Sequence, residues 1–182
     1  MFFNKKFKNI TDFNILLNKL KTLCVTGHRS QKLPWKFNED DERCITMKKE
    51  LKEQLEISIN EGYDTFLSGM ALGFDMICVE ILLELKKRYK YVRIIGVLPC
   101  KNQDCKWPEK EQKRYRKLLD QLDYIRCKYD EYIGAECMLE RNRFMVNNSS
   151  KMIALFNGQN GGTKSTIDYA KNQNLNIVII KP

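Results

Sequence analysis

The segment Ser68-Gly69-Met70-Ala71-Leu72-Gly73-Phe74-Asp75 offers a hydroxyl, two glycines and a carboxylate where an apolar run, Thr65-Phe66-Leu67, gives way to an amphipathic one. A strand that ends in a glycine turn and feeds a helix leaves unpaired backbone N–H groups at the positive end of a helix dipole. Phosphate and other anions bind there. Two more turns have the same make-up: Thr26-Gly27-His28-Arg29 after Leu23-Cys24-Val25, and Asn160-Gly161-Gly162-Thr163 after Met152-Ile153-Ala154-Leu155-Phe156. Three anion-friendly turns in one small chain point to a single nucleotide-type pocket.

Each turn brings its own chemistry. Arg29 can fork onto a phosphate, and His28 can hydrogen-bond a ribose or base. His28 is the only histidine, so any Ser-His-Asp or Cys-His unit would have to use it; a binding role is expected instead. Gly69 lets the backbone approach a ligand, Ser68 supplies a hydroxyl, and Gly73 allows the helix to pack closely on the sheet. Asp75 takes a ribose hydroxyl or caps its helix. Glycines four apart make neither a dinucleotide-binding fingerprint nor a Walker loop. Adjacent glycines followed by hydroxyls make Gly161-Gly162-Thr163, with Thr166 one turn on, the best phosphate site. Glu140-Arg141-Asn142-Arg143 reads as the polar face of a helix. If that helix meets the crevice, Arg141 and Asn142 clamp a phosphate or base. Trp35 and Trp107 lie in loops, to be buried or to stack a base.

The elements that must position these residues alternate along the chain. Strands are expected over 22–26, 65–68, 92–98 (stopped by Pro99), 124–128, 151–156 and 177–180. Helices are expected over 39–61, 70–88, 108–119, 137–148 and 163–174. The strands are continuous apolar runs, the pattern of a parallel sheet covered on both faces and wound through right-handed crossovers. The fold class is therefore α/β, a single Rossmann-like domain with a mainly parallel sheet and helices on both faces. In such sheets ligands sit beyond the carboxyl ends of the strands. All three glycine turns fall there, as does the Pro99-Cys100-Lys101-Asn102-Gln103 loop.

Composition narrows the class further. A chain of 182 residues is long enough for one substantial core. No apolar run approaches the roughly 20 residues of a membrane span, and residues 1–21 read as an amphipathic extension rather than a secretory signal. Seven cysteines without a C-x-x-C pair read as reduced thiols of a cytoplasmic protein; with a single histidine, no metal site is expected. The net charge of +9 gathers partly in Lys86–Lys90 and Lys110–Lys117. These read as solvated helix faces, with a nucleic-acid surface as the alternative.

Taken in order, these motifs resemble the YpsA/YoqJ-like branch of the SMF/DprA–LOG (SLOG) superfamily. The matching marks are Thr26–Arg29 with Lys32-Leu33-Pro34-Trp35, Ser68–Asp75, Pro99-Cys100 with Gln103 and Trp107, Cys137-Met138 with Arg141–Val146, and Gly161-Gly162-Thr163 with Thr166. The resemblance implies a nucleotide-ligand-binding domain over 22–182 and a ligand such as ADP-ribose. It also implies a homodimer, because related domains pair through helix faces. The expected ligand-binding residues are Thr26, Gly27, His28, Arg29, Ser68, Gly69, Met70, Ala71, Gly73, Asp75, Gln103, Arg141, Asn142, Gly161, Gly162, Thr163 and Thr166, with no cofactor. Hydrolytic LOG relatives carry P-G-G-x-G-T-x-x-E. Here the proline is missing, Lys164 replaces the third glycine and Asp168 the glutamate, which points away from glycosidic hydrolysis. Two alternatives stand beside binding: an N-glycosidic hydrolase using Asp75, Glu140 or Asp168, and DprA-like binding of single-stranded nucleic acid through the basic clusters.

Overall fold

Four of the six strands, all but the two at the sheet edges, bury most of their residues, because each has a covered face on either side. The computed structural model describes residues 17–182. Of the extension over 1–21, residues 1–16 lie outside the described residues, and Lys19–Lys21 form a 3-10 turn. The described elements are β1 (Thr22–Gly27), α1 (Glu42–Asn60), β2 (Thr65–Ser68), α2 (Phe74–Lys86), β3 (Arg93–Cys100), α3 (Glu109–Leu119), β4 (Tyr124–Tyr129), α4 (Ala135–Asn147), β5 (Lys151–Leu155), α5 (Gly162–Asn172) and β6 (Asn176–Ile180).

The strands form one parallel sheet in the order β4-β3-β2-β1-β5-β6. Alternate side chains along β1 enter opposite cores. Leu23 and Val25 pack with Met47, Leu51 and Leu55 of α1, Ile77 of α2 and Tyr115 of α3. Cys24 faces the other way, toward Met145 and Val146 of α4 and Ile167 and Ala170 of α5. Helices thus cover both faces. The chain winds outward from β1 to β4, then returns to β1's other side as β5. This reversal places a topological switch point between β1 and β5, where Gly27 pairs with Leu155 at the carboxyl edge.

Most boundaries shift by one to four residues from the sequence reading, and two of these shifts have a clear physical cause. The second helix begins at Phe74 rather than Met70, because Met70 (φ 53°) and Gly73 (φ 104°) both take left-handed backbone that a helix cannot contain. Ser68 fixes this loop by accepting from the Met70 N–H (3.1 Å) and donating to the Asp75 carbonyl (3.3 Å). The third strand runs through Pro99 to Cys100. Pro99 lies past the last pair with β2, Ser68↔Gly96, and has no register partner on β4, so its missing N–H breaks no ladder bond.

Gly73 is also held against backbone: a Cβ there would lie 2.6 Å from the Ser30 nitrogen and 3.0 Å from the His28 carbonyl oxygen. Gly62 has a similar φ of 97° but open space around it. Gly73→Ala should therefore destabilise the fold by roughly 3 kcal/mol or more and Gly62→Ala by about 1 kcal/mol. Thermal melts of the two variants check this; equal losses would mean that strain, not the packing of α2 under the first turn, sets the cost.

Candidate functional site

At the switch point the three glycine turns and α4 enclose a cavity of about 320 Å³, at the small end of ligand pockets. Thr26, Gly27, His28 and Arg29 line it from the end of β1, and Ala71 and Asp75 from the loop before α2. Arg141 and Asn142 line it from α4, and Gly161, Gly162 and Thr163 from the start of α5. The hydroxyl of Thr163 donates to the Gly27 carbonyl (3.2 Å), joining α5 to β1 across the switch point.

The inner end of the cavity is built around Gly69. The Arg141 guanidinium donates to the Gly69 carbonyl (2.5 Å), and Asp75 Oδ2 accepts from the Ala71 N–H (3.3 Å). A Cβ on Gly69 would strike the Arg141 guanidinium and lie 2.9 Å from Asp75 Oδ2, so only glycine fits between them. Both groups are buried. Burial pushes the Asp75 carboxyl up to about 6, against the opposing pull of Arg141, the Ala71 amide and Arg29. Burial also lowers the Arg141 pKa, with Asp75 opposing. The Nε of Arg141 is buried and has no hydrogen-bond partner among the described residues.

The mouth is more exposed and more basic. Arg29 and Lys32 are exposed, and neither has an ion-pair partner among the described residues. The N-cap of α5, Gly161, provides no side-chain cap; the first intrahelical bond runs from Ser165 N–H to the Gly161 carbonyl (3.0 Å). The amides of Gly162, Thr163 and Lys164 therefore remain as the free donors of this helix end. His28 accepts at Nε2 from the Asn157 N–H (3.3 Å). Burial lowers its pKa, with the Asn157 contact opposing and the Lys32 charge adding to the fall.

Six expected ligand residues brace the walls instead of lining the cavity. Ser68, Gly69 and Gly73 shape the loop before α2. Met70 is fully buried; its carbonyl accepts from Gln103 Nε2 (3.2 Å), which also donates to the Tyr115 hydroxyl (2.9 Å). Thr166 donates to the Gly162 carbonyl (2.8 Å) and accepts from Asn142 Nδ2 (2.9 Å). The tryptophans do not stack a ligand here: Trp35 is buried, and Trp107 packs edge-on against Tyr115 at 5.1 Å.

Three lining residues, Lys32, Met138 and Met145, were absent from the expected set. Met138, Arg141, Asn142 and Met145 recur at helical spacing, a stripe that would have marked the face of α4 turned to the crevice. Lys32 follows Arg29 through the 3-10 turn Ser30–Lys32 and gives no periodic signal.

Of the three candidate acid–base carboxylates, only Asp75 lines the cavity. Glu140 is tied to Lys128 (2.5 Å) and the Tyr129 hydroxyl (2.6 Å), and Asp168 to Lys164 (2.6 Å). Five of the nine basic side chains in the two clusters are ion-paired: Lys86 with Asp123, Arg88 with Glu56, Lys113 with Glu109, Arg114 with Glu39 and Glu80, and Arg116 with Asp104. All seven cysteines are free thiols, of which only Cys105 is exposed. Among the described residues, no group of three or more His, Cys, Asp or Glu could hold a metal, and no helix is long and apolar enough to cross a membrane.

The model of the YspA SLOG family, YpsA, matches residues 23–181. The chain belongs to this SLOG family. A UPF0398 protein of Brevibacillus brevis is 33% identical over 145 residues, covering 79% of this chain and 77% of that protein. The UPF0398 protein YpsA of Bacillus subtilis is 24% identical over 145 residues, 79% of this chain and 80% of that one. Two solved structures share the SLOG fold. DNA processing protein A of Helicobacter pylori, studied for its single-stranded DNA binding mode, superposes with a TM-score of 0.60 at 19% identity over 88% of this chain. The same protein of Streptococcus pneumoniae gives 0.59 at 14% identity over 96%. The chain spans 65% and 53% of the lengths of these two; at such identities the likeness is one of fold.

Proposed function

We propose that the switch-point cavity binds a phosphate-bearing, nucleotide-derived small molecule, ADP-ribose or a relative of it, in order to sense or sequester it. The observation that carries this reading is the charge balance of the lining: Arg29, Lys32 and Arg141 face one carboxylate, Asp75. The uncapped start of α5 adds oriented N–H donors at the mouth. The buried Nε of Arg141, which has no acceptor among the described residues, supplies an independent reason for a ligand atom at the inner end. SLOG membership and the nucleic-acid-handling fold relatives support a nucleotide over an unrelated anion. The ion pairs that occupy five of the nine cations in the basic clusters favour a small molecule over a polymer.

Calorimetry with AMP, ADP-ribose and an oligothymidylate tests the reading. AMP or ADP-ribose should bind, and at a hundred times the dissociation constant should stabilise the fold by about 2.7 kcal/mol. The double variant Arg29→Glu, Lys32→Glu removes two charge-assisted donors, each worth about 1.5–3 kcal/mol, and should weaken binding at least tenfold. Binding of the oligonucleotide alone, with steep salt dependence, would replace this reading with a nucleic-acid one. Chromatography of the same mixtures should detect no free adenine; release at stoichiometric protein would make Asp75 part of an N-glycosidic hydrolase.

A further inference from the structure

We propose that Asp75 and Arg141 together read the hydroxyl groups of a sugar at the inner end of the cavity, while the ligand's phosphate lies at the mouth on Arg29, Lys32 and the start of α5. This deepens the anion-binding reading and rests on it, because it assigns the two ends of one site to two parts of one ligand.

The two ends of the cavity differ in exposure and in charge. Arg29, Lys32, Gly161 and Gly162 are exposed, whereas Asp75 and Arg141 are 5% and 8% accessible. At the mouth every charged group is a cation. At the inner end a cation and a carboxylate stand on either side of Gly69. An anion beside Asp75 would meet a like charge where water cannot screen it, a costly arrangement. An apolar group would leave Arg141 Nε with no acceptor and the carboxylate short of donors. The complement of this pair must donate to Asp75 and accept from Arg141. A hydroxyl does both, having one O–H and two lone pairs, and two neighbouring hydroxyls can serve both partners at once.

A base edge also offers donor and acceptor, so position decides between base and sugar. Arg29, Asp75 and Arg141 line one cavity of only about 320 Å³, so mouth and inner end lie close together, and Arg29 acts electrostatically on both inner groups. The Thr163–Gly27 bond holds the α5 side of the mouth against the same β1 turn. In a nucleotide the group attached directly to the phosphate is the sugar, and the short span between the ends accommodates that group. The base is then directed along Met138 and Met145, the two apolar side chains of the α4 face. Carboxylate recognition of ribose hydroxyls has a precedent in dinucleotide-binding folds, where an acidic residue serves the same end.

Calorimetry with AMP, 2′-deoxy-AMP, 2′,3′-dideoxy-AMP and sulfate separates this proposal from the one beneath it. The three nucleotides share charge and base and differ only in the hydroxyls. AMP should bind at least about tenfold more tightly than the dideoxy form, the worth of a hydrogen bond to a charged group. Asp75→Ala should collapse that ratio to below about threefold and tighten sulfate, since a repelling carboxylate is gone. Asp75→Asn, which keeps an acceptor without its charge, should fall between. Equal binding of AMP and its dideoxy analogue by the wild-type protein overturns the sugar assignment and leaves the anion site standing. Discrimination that survives Asp75→Ala overturns the role of Asp75. Failure of all four probes to bind overturns the sugar assignment, and failure of ADP-ribose as well overturns the anion-binding reading.

Discussion

Arg141→Met should lower the unfolding midpoint by roughly 10 °C, corresponding to about 3–5 kcal/mol for a buried charge left without its counterpart. The side chain does two things at once. It donates to the Gly69 carbonyl at 2.5 Å, and its charge opposes the burial cost of Asp75. Methionine fills much of the volume but leaves that carbonyl and that carboxylate unserved. Arg141→Lys should recover only part of the loss, since it keeps the charge near Asp75 but not the planar fork that reaches the Gly69 carbonyl. The double variant Arg141→Met, Asp75→Leu should regain most of the stability, because removing both members of a buried polar pair costs less than orphaning one. Denaturant unfolding of all four proteins measures the coupling. An unchanged midpoint for Arg141→Met would show that Arg141 bears no load in the fold.

The same residues show what spacing reveals and what it conceals. Continuous apolar strands announce a sheet covered on both faces, and a glycine turn at the end of β1, β2 and β5 marks its carboxyl edge, so the crevice is legible before any coordinate. The order of strands brings these turns to one place: β5 returns to the free side of β1, and Thr163 thereby meets Gly27. What a linear reading cannot supply is the direction of a side chain off a loop. Gln103 occupies a carboxyl-edge loop, as a ligand residue would, yet its amide turns to Met70 and Tyr115 and braces the wall from behind. Lys32 lies in a stretch with no periodicity and turns into the cavity. Pro99 illustrates a similar gap. Its effect depends on whether a strand lies beside its nitrogen, which depends on how far β2 extends.

Asp75→Asn should stabilise the ligand-free protein at pH 7 by about 2–3 kcal/mol, each unit of pKa shift being worth about 1.4 kcal/mol. The sign follows from the direction of the shift. Burial raises the carboxyl from 3.8 to about 6, so the folded chain holds this proton more tightly than the unfolded chain does. Between those two values folding takes up a proton, and stability falls as pH rises. The contribution of the protonated carboxyl is fully present below about pH 4 and is lost as pH climbs through about 6. Asparagine has no proton to lose, so its advantage should be absent near pH 4, grow through the window and level off above it. Urea unfolding of both proteins from pH 4 to 8 isolates this group, because every other titrating residue is common to the pair. Parallel curves would mean that Asp75 folds with an unshifted carboxyl. A gain in stability coupled to weakened AMP binding would identify Asp75 as a position retained for its ligand at the expense of the empty fold, the usual relation between a strained site and its scaffold.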